Sequence, residues 1–257
     1  MTEPALDIIL TIENLVKTYP GADRPAIDGL TLDIGQGTIF GLLGPNGAGK
    51  TTTISILCTL LQPTSGCATI MGHDVVRKAA VVRRKIGLVP QDIALYGSLT
   101  ARENLRYFAR MLQVQKDQIE TRIDESLTLV ELSDCADQLI STYSGGMKRR
   151  ANLAVAILHH PDILFLDEPT VGIDTQSRNL ILERLTELKL RGMTLVYTTH
   201  YMEEAQQICD EVAIIDGGRM IACGEPGQLV SEAAGCENLE ELFLSLTGKQ
   251  LRDRMAS

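Results

Sequence analysis

The chain has 257 residues, of which 44% are apolar and 22% charged, and carries a formal net charge of -9. This is long enough for one large α/β domain, or a core with an inserted subdomain, while the acidic balance makes nucleic acid a poor electrostatic match as main partner. No apolar run approaches the ~20 residues that span a bilayer. The first seven residues have neither a basic stretch nor a long apolar one, so no signal peptide is expected. A soluble protein is expected, unless a partner holds it at a membrane.

Residues 8–16 are β-prone and read as a strand. Tyr19-Pro20-Gly21 is a turn, and residues 26–34 read as a second strand. Gly35-Gln36-Gly37 turns the chain into a third, residues 38–43. The opening strands have the look of a small antiparallel sheet laid beside the main body of the chain. Gly44-Pro45-Asn46-Gly47-Ala48-Gly49-Lys50-Thr51 is the pattern G-x-x-x-x-G-K-T, a phosphate-binding loop. It lies between an apolar strand and a helix expected over residues 52–61, the context the motif requires. Its glycines let backbone wrap an anion closely, and N–H groups at a helix start favour negative charge. Lys50 would reach the β- and γ-phosphates, and the Thr51 hydroxyl would ligate Mg²⁺.

Residues 62–66 break the chain, residues 68–71 form a short strand, and Gly72-His73-Asp74 reads as a turn. Residues 75–84 look helical, and residues 86–90 form a strand that ends at Gln91. From Leu99 the pattern is helical. Thr100 and Glu103 have capping-box spacing, and Leu105, Phe108, Ala109 and Leu112 share a face. A second helix is expected over residues 118–132. Ser144-Gly145-Gly146 precedes a third, in which Met147, Ala151, Ala154 and Leu158 share a face. Residues 95–160 therefore read as a helical subdomain inserted into a strand–helix alternation.

The alternation resumes at residues 163–166, an all-apolar strand suited to burial on both faces. Next come a helix over residues 177–190, a strand over residues 194–199 and a helix over residues 202–209. Residues 212–215 and 219–222 form a hairpin about Gly217-Gly218, and residues 238–246 a last amphipathic helix. Cys58, Cys67, Cys135, Cys209, Cys223 and Cys236 have no C-x-x-C spacing, and reduced structural thiols are expected.

Asp167 and Glu168 come directly after the apolar strand. Carboxylates at the end of a parallel strand face the crevice where such sheets bind ligands. One can hold Mg²⁺, and the other can orient or deprotonate an attacking water.

Here the sequence resembles the ATP-binding cassette (ABC) family of ATPases. The resemblance rests on residues 44–51, Gln91, Ser144-Gly145-Gly146, residues 163–168, Asp174 and His200 in that order. It implies an α/β fold: a P-loop NTPase core, an antiparallel β subdomain and an inserted α-helical subdomain. The core and β subdomain would occupy residues 1–94 and 161–257, and the insert residues 95–160. It implies that ATP contacts Tyr19, Gly44, Pro45, Asn46, Gly47, Ala48, Gly49, Lys50, Thr51 and Thr52. Across a homodimer, ATP would also meet Ser144, Gly145 and Gly146. Mg²⁺ would be held by Thr51, Gln91 and Asp167, and Glu168, His200 and Gln91 would carry catalysis. Asp174 would link the two sites of the dimer. Met147 stands where the family usually has Gln and cannot supply that amide's hydrogen bonds. His73, His159 and His160 read as structural.

Residues 143–150, 171–178, 198–205 and 239–252 resemble the branch that holds the ATPase subunits of drug and polysaccharide exporters. The expected function is an ATP-hydrolysing subunit powering a polytopic membrane permease from the cytoplasmic face of the cell membrane, with no nucleic acid partner. A soluble ABC ATPase of translation or DNA repair is the main rival, although no tandem cassette, coiled coil or zinc module is visible. A nucleotide-gated module without turnover conflicts with intact Glu168 and His200. A kinase or GTPase leaves Ser144-Gly145-Gly146 unexplained. The segment from Gln91 to Glu103 is expected to line the permease dock, with Ile93, Leu95, Tyr96 and Leu99 forming a socket or capping the insert's own core.

Overall fold

The structure, a computed structural model, describes residues 7–233 and 235–248. Of the exporter-like segment, residues 249–252 lie outside the described residues, as do residues 1–6. Strands β1 (Ile8–Lys17) and β2 (Ile27–Gly35) pair antiparallel, and β3 (Ile39–Leu43) leads into α1 (Lys50–Leu57). Strands β4 (Ser65–Ile70) and β5 (His73–Asp74), the short helix α2 (Ala79–Val82) and β6 (Ile86–Val89) come after it. Next come α3 (Ala101–Met111), α4 (Ile119–Leu129) and α5 (Gly145–Ile157). The chain then returns through β7 (Ile163–Asp167), α6 (Thr175–Leu190), β8 (Thr194–Thr199), α7 (Met202–Ile208) and the hairpin β9 (Glu211–Asp216) and β10 (Arg219–Gly224). Helices α8 (Pro226–Glu232) and α9 (Leu239–Thr247) close the described chain.

Two sheets result. One is antiparallel, in the order β2-β1-β4-β5; the other runs β10-β9-β3-β8-β7-β6 and is parallel except for β10. Side chains alternate across a strand, so each central strand feeds two cores. Phe40, Leu42, Ile163, Phe165 and Val196 pack with α1 and the antiparallel sheet. Leu43, Leu164, Leu166, Leu195 and Tyr197 pack with α3 to α7 and α9. The helical insert thus has no core of its own: Leu105, Ile123 and Ala154 belong to the same buried cluster as Leu166.

Most local expectations hold, including the Thr100–Glu103 capping box at α3. Three do not. Residues 75–84 are helical only over Ala79–Val82, because Asp74 Oδ1 accepts from Val76 N (2.9 Å) and Arg77 N (2.7 Å) and holds the chain in a turn first. His73 and Asp74 are not a turn but pair with Ile70 and Thr69 as β5. Helix α8, with Pro at its first position, has too short an apolar repeat to stand out from sequence.

Parallel register positions the site. Leu43 lies opposite Thr199, Asp167 opposite Thr198, and Val89 opposite Leu166. The C-terminal ends of β3, β8, β7 and β6 therefore form one row, and the residues just beyond them converge on a single crevice.

Candidate functional site

The first wall of the crevice is the loop between β3 and α1. Gly49 caps α1 with φ 106°, and a Cβ there would sit 2.3 Å from the Ala26 carbonyl oxygen. Only glycine fits both the angle and the approach. Lys50 is 5% exposed; its Nζ donates to Gly44 O (2.8 Å) and Pro45 O (3.3 Å) and lies 3.4 Å from Glu168 Oε1. Burial lowers the Lys50 pKa, against the opposing pull of Glu168. Asn46, Gly47, Ala48, Gly49, Lys50, Thr51, Thr52, Gln91 and Glu168 border a cavity of about 480 Å³, a size usual for small-molecule sites.

The second wall is the end of β7. Asp167 Oδ1 accepts from Thr51 Oγ1 (3.2 Å) and Thr198 Oγ1 (2.8 Å). Burial pushes its carboxyl pKa up, against both hydrogen bonds. Glu168 has a left-handed backbone, φ 48°, a conformation that costs a non-glycine residue about 1–3 kcal/mol. Its N–H donates to Thr198 Oγ1 (3.0 Å) and Thr198 O (3.2 Å), which fixes the turn. That turn swings the Glu168 carboxylate toward Lys50 on one side and toward His200 on the other. His200 Nδ1 lies 3.3 Å from Glu168 Oε2. Burial pushes the Glu168 carboxyl up, but the His200 hydrogen bond and the Lys50 charge outweigh it, and it sits below its ordinary value.

The oxygen set suits a hard cation. Thr51 and Asp167 already touch, and Gln91 borders the same cavity. Among the described residues no three His, Cys, Asp or Glu gather as a cage. Magnesium at phosphate sites needs only one or two protein oxygens besides the phosphates, and a buried carboxylate gains from a cation beside it.

Tyr19 and the segment at α5 lie outside this cavity. The Tyr19 ring is exposed, but its hydroxyl is 3.3 Å from Thr52 Oγ1, at the edge of the phosphate loop. Ser144 and Gly145 are exposed at the start of α5 and do not border the cavity. Ser144 Oγ caps that helix by accepting from Met147 N (3.2 Å). Gly146 packs so closely on α6 that a Cβ would meet Ser177 Oγ at 2.1 Å. Asp174 caps α6, accepting from Ser177 N (2.9 Å) and Ser177 Oγ (2.7 Å). Two helix starts thus abut, one presenting Ser144 and the other Asp174.

Three contributors escape sequence reading. Thr198 donates to the Asp167 carboxylate and accepts from the Glu168 backbone N–H, and its only signal is a polar residue near the end of an apolar strand. Arg149 donates to the Gln91 carbonyl and to the Val171 carbonyl (3.2 Å), tying α5 to both edges of the cavity. Glu204 is buried and accepts a hydrogen bond from Thr199 Oγ1 (3.3 Å), the residue before His200. Of the expected dock, Leu95 packs into the core, whereas Tyr96 is 48% exposed and stands edge-on to Tyr107 at 5.1 Å. The neighbouring groove, about 340 Å³, lies between β6 and α3 and is bordered by Leu60, Leu88, Ala94, Phe108 and Leu112. Among the described residues no helix is long and apolar enough to cross a membrane.

A family model described as "ABC transporter" matches residues 27–171. The linearmycin resistance ATP-binding protein LnrL of Bacillus subtilis (strain 168) is 46% identical over 227 residues, 88% of this chain and 72% of that protein. The Nod factor export ATP-binding protein I of Rhizobium meliloti is 41% identical over 233 residues, 91% of this chain and 69% of that one. Among solved structures, an ATP-binding subunit of an ABC transporter superposes with TM-score 0.82 at 29% identity, covering 93% of this chain and 99% of that one. A dimeric post-hydrolysis state of the ATP-binding cassette MJ0796, bound to ADP and Pi, gives TM-score 0.77 at 27% identity, covering 84% and 98%.

Proposed function

The chain belongs to the ABC transporter family as an ATP-binding, ATP-hydrolysing subunit, and from that premise we propose that it powers a membrane exporter by closing as a head-to-tail dimer on ATP. The observation that carries this reading is the separation of its two anion-ready helix starts. The α1 start borders the cavity with Lys50 and Glu168, while Ser144 and Gly145 are exposed at the α5 start, outside that cavity. One copy then supplies half of each site, and the second copy's α5 closes it over the γ-phosphate. That a similar solved structure, the cassette MJ0796 bound to ADP and Pi, is dimeric supports a dimer.

In this reading Gly44 to Thr52 cradle the phosphates and Tyr19 stacks on the base. Lys50 neutralises charge on the β- and γ-phosphates. Glu168 accepts the proton of the attacking water, and His200 holds the Glu168 carboxylate and contacts the γ-phosphate. Gln91 senses the nucleotide and passes its state to the membrane partner. Mg²⁺, held by Thr51, Asp167 and Gln91, would supply neutralisation of charge on the transferring phosphoryl oxygens. The division at residues 94/95 and 160/161 is part of the same reading.

Export is favoured by the two relatives' names, one for drug resistance and one for Nod factor export. The partner would be a polytopic permease, and the chain would sit on the cytoplasmic face of the cell membrane through it. The groove between β6 and α3, with Tyr96 at its rim, would take a cytoplasmic segment of that permease. Glu168→Gln tests the core of the proposal, because the amide keeps the shape and loses the base. Turnover should fall by roughly 100-fold or more, and ATP should trap a stable dimer on size exclusion. Wild-type turnover in this variant removes Glu168 from its role.

A further inference from the structure

Glu204, on α7, is 3% exposed, and nothing in the hydrolytic reading uses it. It gathers contacts from three separate parts of the chain. Its Oε2 accepts from Thr170 Oγ1 (2.8 Å), from Thr199 Oγ1 (3.3 Å) and from the Tyr197 hydroxyl. Burial, with the Glu204 charge beside it, pushes the Tyr197 phenol well above its usual range, so it stays a donor. Oε1 faces Arg178 Nε of α6 at 3.3 Å. A carboxylate buried this deeply is costly unless paired and hydrogen-bonded; here Oε2 takes the hydrogen bonds, and Oε1 makes none but has the Arg178 charge beside it.

The contacts lead to the reacting groups from two sides. Thr170 lies two residues after Glu168, in the turn that carries it. Thr199 directly precedes His200, and its hydroxyl also accepts from Tyr201 N (2.9 Å). The Arg178 guanidinium sits 5.0 Å from the Tyr201 ring centroid, and the Tyr201 ring lies 4.2 Å from that of His200. One carboxylate therefore braces the turn after β7 through Thr170 and the turn after β8 through Thr199. Through Arg178 it also reaches α6, whose first turn packs on Gly146.

We propose that Glu204 is a positioning residue for hydrolysis: it sets the relative placement of His200 and Glu168, with Arg178 as its link to the start of α6. This rests on the reading of Glu168 and His200 as the hydrolytic pair. Replacing Glu204 by Gln keeps the volume and one acceptor oxygen. It presents an amide to Arg178 or to the hydroxyls, so one side of the brace is lost.

The test compares wild type, Glu204→Gln, Arg178→Ala, His200→Ala and the Glu204→Gln/His200→Ala double variant. ATP affinity is measured by calorimetry, and ATP turnover and amide hydrogen exchange over residues 196–204 are followed alongside. Glu204→Gln should lower kcat about tenfold, that is about 1.4 kcal/mol, while ATP affinity stays within about twofold. The same change added to His200→Ala should lower kcat little further, because coupled groups are non-additive. Exchange should quicken over residues 196–204 and stay unchanged over β1 and β2. If Glu204→Gln does not fold, Arg178→Ala, whose side chain is 30% exposed, decides by the same split between kcat and affinity. Full turnover in a folded Glu204→Gln, or an equal added loss in the His200→Ala background, overturns the positioning role. If His200→Ala is too slow to measure, unchanged exchange over residues 196–204 in Glu204→Gln overturns it. Wild-type turnover in His200→Ala instead overturns the hydrolytic reading itself, and the inference with it.

Discussion

The ends of β3, β7 and β8 and the start of α5 are both places where backbone N–H groups or strand ends await an anion, yet they are built differently. At the strand ends, Lys50, Asp167, Glu168 and His200 are buried and hold one another through hydrogen bonds and ion pairs. At the start of α5, Ser144 and Gly145 are exposed, and the buried Gly146 beside them packs on Asp174 and Ser177. The first region is complete in its chemistry, because parallel register delivers three strand ends to one row. The second offers a hydroxyl and backbone N–H groups at a helix start, and none of the buried cluster of Lys50, Asp167, Glu168 and His200. Catalytic groups inside one copy and a lone set of donors on its surface are what a shared site requires.

The contrast can be broken most strongly at Lys50. Lys50→Ala removes the buried cation at the phosphate loop, and ATP affinity should fall about 10–100-fold, the value of a charge-assisted contact of ~1.5–3 kcal/mol. Unchanged affinity by calorimetry would place the nucleotide elsewhere. Ser144→Ala should leave the affinity of the monomer alone and reduce ATP turnover about fivefold to tenfold. It also removes a helix cap worth about 1 kcal/mol, so Ser144→Asp sharpens the result. Asp caps as well as Ser but sets a negative charge toward the partner's γ-phosphate. Lost turnover at unchanged thermal stability would separate phosphate contact from capping, whereas normal turnover in Ser144→Asp would leave Ser144 as a cap only.

A smaller effect is expected at Thr198. Thr198→Val deletes the hydroxyl that serves Asp167 and the Glu168 N–H. The backbone carbonyl of Thr198 still accepts from Glu168 N, so turnover should fall about threefold to tenfold, with binding nearly intact; an unaltered rate would show that the carbonyl alone holds the turn. Tyr96→Ala should have the smallest effect on the isolated chain, because the ring is exposed and its backbone is held by Asn104 (2.8 Å to Tyr96 N). ATP turnover should stay normal while recruitment to membranes carrying the permease drops. Unchanged recruitment by a protein with native circular dichroism would remove Tyr96 from the dock.

Much of this contrast is legible in the sequence, since local motifs announce it. The phosphate loop, the apolar strand ending in Asp167-Glu168 and the helix opened by Ser144 each fall within about eight residues and obey local rules. What joins them is not local. Thr198 reaches Asp167 across 31 positions, and Arg149 reaches Gln91 across 58. Glu204 looks like a surface acid in Met202-Glu203-Glu204-Ala205, and only the packing of α7 against β8, the turn after β7 and α6 buries it. The left-handed turn at Glu168 is also invisible, because its stabilising acceptors come from a strand 30 residues later. The helical insert reads as a separate unit from its pattern, yet its apolar faces share one cluster with the central sheet. Periodicity tells which face is buried and not what it is buried against.

The central claim is that each ATP site is made from two copies, and a mixed dimer tests it most directly. Lys50→Ala protein and Ser144→Ala protein are assayed for ATP turnover alone and after mixing, with subunit exchange verified. In a head-to-tail dimer, one mixed site takes both lesions and the other takes none, so turnover of the mixture should rise above the mean of the two separate preparations. A mixture that gives only that mean, with mixed dimers present, would show that Lys50 and Ser144 serve the same nucleotide within one copy and would contradict the shared site.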